Sequence, residues 1–352
     1  AWIRIGDNMS RLAVVLFNLG GPDSLDSVRP FLFNLFHDPA IIGVSQPMRW
    51  ILAQFISRRR APIAKQIYGY IGGKSPLMEL TQEQALALKS NLKDVADTVE
   101  VFVCMRYWKP MAPAVAEAVK TFAPDKIVLL PLYPQYSTTT VSSSLADWRR
   151  AAQKLKVFAP VYTICCYPIE IGWIDAQADL VSRFVEKTGS NTRILFSAHG
   201  LPRKVVKAGD PYQWQVEQTA AAVIKKMGGH KDWTVCYQSR VGPLEWIGPS
   251  TEEELVRAAE DSVGVIIVPI AFVSEHSETL VELDIEYREL ARELGVISYD
   301  RVPALGTHPA FVAGLGDLVR KACSRGINAP YGGAGGFRIC PVGFSKCPSA
   351  SV

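Results

Sequence analysis

Two histidines and a row of glutamates stand out among the residues that could move protons or hold a cation. In Gly264–Leu290, His276 is followed by Glu278, Glu282 and Glu286, which recur every fourth residue and so line one side of a helix. Leu280, Leu283 and Tyr287 take other positions, as core-facing residues would. Such a row is commonly the wet face of an amphipathic helix. Here like charges four residues apart repel, with only Arg288 and Arg292 nearby to relieve them, so the row makes most sense if a cation visits it. His199 follows the apolar run Arg193–Ser197 and precedes Gly200 and Pro202, which cannot extend a helix. A histidine and a carboxylate on one rim can bind a divalent cation or move protons.

The elements around these residues must bring them to one place. Val265–Phe272 is short and rich in Val and Ile, as a strand buried on both faces of a parallel sheet is. It delivers His276 and Glu278 to its carboxyl end, where open α/β sheets place their ligands. The strand at Arg193–Ser197 delivers His199 to the same rim. Strands and helices alternate from Leu12–Leu19 to Pro309–Cys323, with Val296–Tyr299 as the last strand, in two runs of about four β-α units joined near residues 157–168. This predicts an α/β fold of two similar doubly wound domains with parallel sheets and a cleft between them. The expected bounds are 9–158, with a returning helix at about 308–325, then 159–307, then an irregular tail over 326–352.

Composition excludes several alternatives. With 352 residues, 48% hydrophobic and 20% charged, the chain is long enough for two domains with large cores. A net charge of +4 carries no nucleic-acid signature. No stretch reaches the roughly 18 apolar residues of a membrane span, and seven scattered cysteines without a signal peptide suggest a reducing, cytoplasmic setting. Residues 1–8 read as an extraneous leader, since Met9 directly precedes the first strand. Gly20-Gly21 lacks G-x-G-x-x-G, and Gly72-Gly73-Lys74-Ser75 lacks both the spacing and the strand of a P-loop, so nucleotide binding is disfavoured. Trp50, Ile51, Leu52, Phe55 and Ile56 precede Arg58-Arg59-Arg60. That pattern suits either a helix lying on an anionic bilayer or a core helix with a solvated basic end. Cys104 and Cys236 read as core residues. Cys165 and Cys166 are adjacent, so one should face each side of a strand, and Cys340 and Cys347 lack C-x-x-C spacing.

Several stretches together resemble the ferrochelatases, which insert ferrous iron into a porphyrin at the end of haem synthesis. They are NLGGPDSLDSVRPFLFNLF, RRAPIAKQIYGYIGGKSP, MRYWKP, YPQYSTTTVSSSL, LFSAHGLP, YQSRVGPLEWIGPST and PIAFVSEHSETLVELDIEYREL, in order from Leu12 to about Cys323. The resemblance implies two α/β domains, each with a four-stranded parallel sheet, around a porphyrin cleft. It implies that His199 and Glu278 bind the incoming iron or accept the pyrrole protons. Glu282 and Glu286 would form a path for metal or protons on a π-helical stretch. Arg60, Tyr68 and Ser75 match porphyrin-binding positions, and Leu19, Arg106, Tyr107, Trp246, Phe272 and His276 match pocket-lining ones. Glu275 stands where many relatives carry Asp.

These residue types suit the reaction. A flat apolar porphyrin wants aromatic and aliphatic walls, and metallation must remove two N–H protons while a cation arrives. Fe2+ is then substrate, and no resident cofactor is required. The Trp50–Arg60 segment matches a hydrophobic lip at the pocket mouth, which implies peripheral membrane contact and protoporphyrin IX as substrate. A coproporphyrin ferrochelatase, another porphyrin chelatase and a non-catalytic haem or metal binder remain as alternatives. Some relatives carry a [2Fe-2S] cluster on one internal and three C-terminal cysteines. Here Thr138 occupies the internal position of the animal members, and Ser349 stands where a third tail cysteine would fall. Cys340 and Cys347, with Cys165 or Cys166 inside, leave a fourth ligand hard to name, so the cluster is not expected.

Overall fold

The computed structural model describes residues 10–189, 191–230, 232–240, 242–325, 331–332 and 338–349. The first lobe contains β1 (Arg11–Asn18), α1 (Val28–Phe36), α2 (Gln46–Gly69), α3 (Leu77–Asn91), β2 (Thr98–Met105), α4 (Ala112–Phe122), β3 (Lys126–Pro131), α5 (Val141–Leu155) and β4 (Val161–Cys166). Helix α6 (Ile171–Thr188) leads to β5 (Thr192–His199), α7 (Arg203–Lys207), α8 (Tyr212–Lys226), β6 (Trp233–Gln238), α9 (Thr251–Glu260) and β7 (Gly264–Pro269). A π-helix over Glu278–Glu286 runs into α10 (Tyr287–Leu294), followed by β8 (Tyr299–Arg301), α11 (Pro309–Arg325) and β9 (Tyr331–Gly332).

The described strands all pair in parallel, in the orders β2-β1-β3-β4-β9 and β6-β5-β7-β8. The central strands explain why continuous apolar runs were needed: all six residues of β7 are buried, and so is every residue of β1 after Arg11. One core runs on from the first lobe to the second through α3, α6, α8 and α11, while α4–α5 and α9–α10 cover the outer faces. A Cβ on Gly172 would lie 2.3 Å from the Ala310 carbonyl and 2.8 Å from Gly314 Cα, so glycine lets α6 and α11 touch backbone to backbone.

Three details depart from the sequence reading. β4 pairs with β3, so the first sheet extends past the boundary expected at 158/159 to Cys166, and α6 makes the crossing. The tail is not wholly irregular, because β9 adds a fifth strand beside β4. The last strand of the second sheet begins at Tyr299 rather than Val296. Gly295 closes α10 at φ 79°, and Ile297 points outward before the chain straightens.

Buried polar side chains tie the lobes together. Gln84 of α3 donates to the Val273 and Gly306 carbonyls at 3.0 and 2.9 Å and accepts from Ser274. Gln135 donates to Thr219 and to the Ile270 carbonyl. Gln215 of α8 accepts the Tyr136 N–H at 2.7 Å. Asp210 accepts from the Ser137 hydroxyl and from both the N–H and hydroxyl of Thr138. Each is buried with its partners met, which fixes geometry rather than merely adding attraction.

Candidate active site

His199 is the last residue of β5, paired in register with Gln238 at the end of β6. The strand after it, β7, ends at Pro269, and the chain turns through Ser274 into the π-helix that opens on Glu278. Two neighbouring parallel strands thus deliver both residues to one rim. His199 Nδ1 lies 2.9 Å from Glu278 Oε2. Burial pulls the imidazole pKa down, but the Glu278 charge and hydrogen bond outweigh it and raise it from 6.5 to about 9. Burial likewise pushes Glu278 up, and His199, assisted by His276, holds it well below the ordinary carboxylate range. The His199 side chain keeps 44% exposure and that of Glu278 27%, so cleft water screens the pair. At neutral pH it is an imidazolium–carboxylate pair.

His276 is held differently. Its Nδ1 accepts the Glu278 N–H at 3.0 Å, and its ring meets Phe272 edge-on at 4.7 Å. Burial lowers its pKa, so this imidazole stays neutral, with its remaining hydrogen on Nε2. Glu275 is tied to Arg301, Thr279 and the Ala304 N–H, which fixes the turn below.

Glu282 comes next along the π-helix. It accepts the Ser239 N–H at 2.8 Å, the Gln238 amide at 3.0 Å and the Ser239 hydroxyl. Burial and the charge of Glu278 raise its pKa. Glu286 is exposed. The acidic row therefore splits, with two members turned inward and one outward.

The other matched positions divide as well. Trp246 packs against Gly200, where a Cβ would lie 3.4 Å from its indole ring. Leu19, Tyr68 and Tyr107 pack in one cluster with α1 and α2, and the Tyr68 hydroxyl lies 3.5 Å from that of Ser277, the residue before Glu278. Arg60 is exposed with its guanidinium over Phe36 at 5.8 Å. Ser75 is buried and accepts the Leu77 N–H, turned toward α3. Arg106 and Tyr107 converge on Asp38, whose carboxylate takes Arg106 Nη2 at 2.9 Å, the Tyr107 hydroxyl at 2.7 Å and the Ser143 hydroxyl. Nothing in the local sequence marks Asp38 as this hub.

α2 inverts the usual amphipathic arrangement. It buries Ala53, Ser57, Ala61 and Tyr68, while Trp50, Ile51 and Phe55 are 47%, 55% and 61% exposed beside the exposed Arg58–Arg60. No helix among the described residues is long and apolar enough to cross a membrane.

The cysteines are the main surprise. Cys165 and Cys166 do not straddle the strand: the β4–β9 register shifts between Ile164 and Cys166, and the two sulfurs lie 3.6 Å apart on one side. Gln215 Nε2 lies 3.1 Å from Cys340 Sγ and 3.5 Å from Cys166 Sγ. The Cys340 thiol bonds to Cys347, which raises Cys340 and lowers Cys347. All four are buried. Sequence spacing could not find this, because the bulge and the tail's return set it.

Two parallel-sheet lobes whose rims enclose a histidine–carboxylate pair define a chelatase-type fold. The sirohydrochlorin chelatase SirB from Bacillus subtilis, solved with Fe3+, superposes with a TM-score of 0.54 at 13% identity over 90% of this chain and 97% of its own. Its complex with cobalt gives 0.51. The ferrochelatase family model matches residues 11–323. A ferrochelatase of Caulobacter vibrioides is 54% identical over 342 residues, 96% of this chain and 97% of the relative. Those of Hyphomonas neptunium and Rickettsia bellii are 48% and 47% identical over 97% of this chain and 96% and 95% of their own. The chain belongs to the ferrochelatase family: it is a porphyrin metal chelatase, a lyase of haem synthesis with ferrous iron as a substrate.

Proposed function

We propose that the chain inserts Fe2+ into protoporphyrin IX, with His199 and Glu278 as the catalytic pair. The observation that carries this is the 2.9 Å contact between them at the rim, next to Ser277, which reaches Tyr68 of the apolar cluster with Leu19 and Tyr107. The imidazolium must give up its proton before its nitrogen can meet a cation, so iron arrival and proton departure are coupled at one atom. Two protein donors hold a transition metal weakly, which suits an ion that must pass on to the macrocycle. Glu278 takes or releases pyrrole protons with His199, and neutral His276, braced on Phe272, keeps Glu278 in place through its backbone N–H. Trp246, Phe272 and Leu19 wall the ring, while Arg60 offers a cation to the propionates.

The test is anaerobic metallation by purified protein with Fe2+ and either protoporphyrin IX or coproporphyrin III, followed by the Soret shift. Turnover with protoporphyrin IX that collapses in His199→Ala supports the reading. A preference for coproporphyrin III moves the substrate and keeps the chemistry; binding without turnover sinks the function.

The exposed face of α2 supports docking of a cytoplasmic protein on an anionic membrane surface, Trp50, Ile51 and Phe55 in the acyl boundary and Arg58–Arg60 on headgroups. An apolar substrate could then pass between bilayer and cleft.

The four cysteines support a [2Fe-2S] cluster after all. Counting alone left the fourth ligand unnamed; Cys165 and Cys166 form one close pair, and Cys340 and Cys347 the other. Among the described residues no group of three or more His, Cys, Asp or Glu is placed to hold a metal ion as it stands; what supports the binuclear cluster, which takes two ligands per iron, is the gathering of Cys166 and Cys340 on Gln215 with Cys165 3.6 Å from Cys166. The thiolate character of Cys347 favours ligation. Such a cluster would supply one-electron redox capacity and a staple between tail and core. Anaerobically purified protein should show the visible bands and, once reduced, the electron paramagnetic resonance of a [2Fe-2S] centre, both lost in Cys340→Ser.

A further inference from the structure

Each insertion of a divalent cation releases two pyrrole protons, which must reach water. Glu282, four residues past Glu278 and under the influence of its charge, begins a line of hydrogen-bonded side chains that leads outward. Glu282 is pinned by Gln238 and Ser239. Ser239 adopts φ 59°, a left-handed conformation disfavoured for a residue with a side chain, and it places both its N–H and its hydroxyl on Glu282. The Tyr287 hydroxyl lies 3.3 Å from Glu282 Oε1 and 2.9 Å from Glu252 Oε1. Tyr287 is buried, whereas Glu252 is half-buried in the first turn of α9. Exposed Glu286 is not among the partners that the structure gives Glu282.

We propose that protons leave the site along Glu282, Tyr287 and Glu252, with Glu252 the last group before bulk water. This rests on the metallation reading above and gives its protons an exit that the acidic row alone would place at Glu286. In the step, protonated Glu282 gives its hydrogen to the phenol oxygen of Tyr287 as the phenol's own hydrogen passes to the Glu252 carboxylate. Tyr287 stays neutral throughout, Glu252 releases the proton to water, and rotation of the Tyr287 hydroxyl resets the line. Burial, with both neighbouring carboxylates, raises Tyr287 far above an ordinary phenol, so the hop is concerted rather than through phenolate. Glu252 stands in the first turn of α9, and the adjacent Glu253 and Glu254 are engaged by Arg240 at 3.4 Å and Arg257 at 2.9 Å.

The test is steady-state metallation by the full chain in wild type, Glu252→Gln, Tyr287→Phe and Glu286→Gln. Glu252→Gln is expected to lower kcat about tenfold, a modest share of what proton transfer contributes, with KM for porphyrin unchanged. Added imidazole or formate should restore kcat as its concentration rises, which a merely structural defect would not allow. Tyr287→Phe should lose kcat similarly, and both should lose more than Glu286→Gln. Wild-type kcat in Glu252→Gln, loss without rescue, or a larger loss in Glu286→Gln would overturn the route. Absence of metallation by wild type would instead remove the functional reading beneath it.

Discussion

The two lobes share a plan and spend their rims differently. In the first, charges are locked: Asp38 is buried and saturated by Arg106, Tyr107 and Ser143, and Arg106 also reaches Asp147 at 3.5 Å. In the second, charges stay able to change: His199 and Glu278 face the cleft half-open, and Glu282 holds a raised pKa. One rim is a frame, and the other carries the pair proposed for the proton work. The difference teaches that a locked ion pair and one free to exchange protons are told apart by remaining access, since the separations are the same, 2.9 Å in each.

The sharpest way to break this comparison is at the working pair. His199→Ala and Glu278→Gln should each cut kcat by about a hundredfold to ten-thousandfold, read from initial Soret shifts, with little loss in melting temperature. Next comes the frame. Asp38→Ala leaves Arg106 buried without its closest carboxylate and should cost about 3 kcal/mol of unfolding free energy in urea, while porphyrin metallation by the folded fraction survives. If Asp38→Ala instead abolished turnover at full stability, the division of labour would be wrong.

The pH response sharpens it further. The folded-state value of His199 lies above its ordinary 6.5 and that of Glu278 below its ordinary 4.5, so the pair's stabilisation is complete between about 4.5 and 6.5, is lost as pH rises through about 9, and is lost on the acid side as Glu278 takes up a proton. Cation binding must displace that proton, so Co2+ affinity measured by calorimetry should tighten about tenfold per pH unit between 6.5 and 8.5. Glu278→Gln should bring the levelling-off to lower pH. A flat profile in wild type would show that the imidazole does not meet the metal. The smallest effect belongs to the lip: Trp50→Ser with Phe55→Ser should weaken cosedimentation with phosphatidylserine vesicles several-fold and leave turnover of detergent-dissolved porphyrin intact.

Much of this was legible in sequence, for physical reasons. A strand buried on both faces has to be a continuous apolar run, so β1, β5 and β7 showed themselves, and their carboxyl ends named His199, His276 and Glu278. The periodicity of Glu278, Glu282 and Glu286 gave the helix but not its π winding, and so not which glutamates turn inward. Asp38 lay in an unremarkable loop, and its role depends on where α1 ends against β2 and α5. Cys165 and Cys166 misled because strict alternation fails at a bulge. The 158/159 boundary failed because a helix, rather than a change in composition, marks where the first sheet ends.

The ties between the lobes have a mechanical consequence. Asp210, Gln215, Gln135 and Gln84 gather the first lobe to the second with short, buried bonds, and the tail adds Lys346 N–H to the Gly209 carbonyl and Phe344 against Trp214. At the opposite margin, α2 meets the second lobe through the 3.5 Å approach of Ser277 to Tyr68. The molecule is bound like a book, with its spine at α8 and the tail and its loose page edge at α2. A flat guest can slide in from that edge while the spine keeps His199 and Glu278 in register.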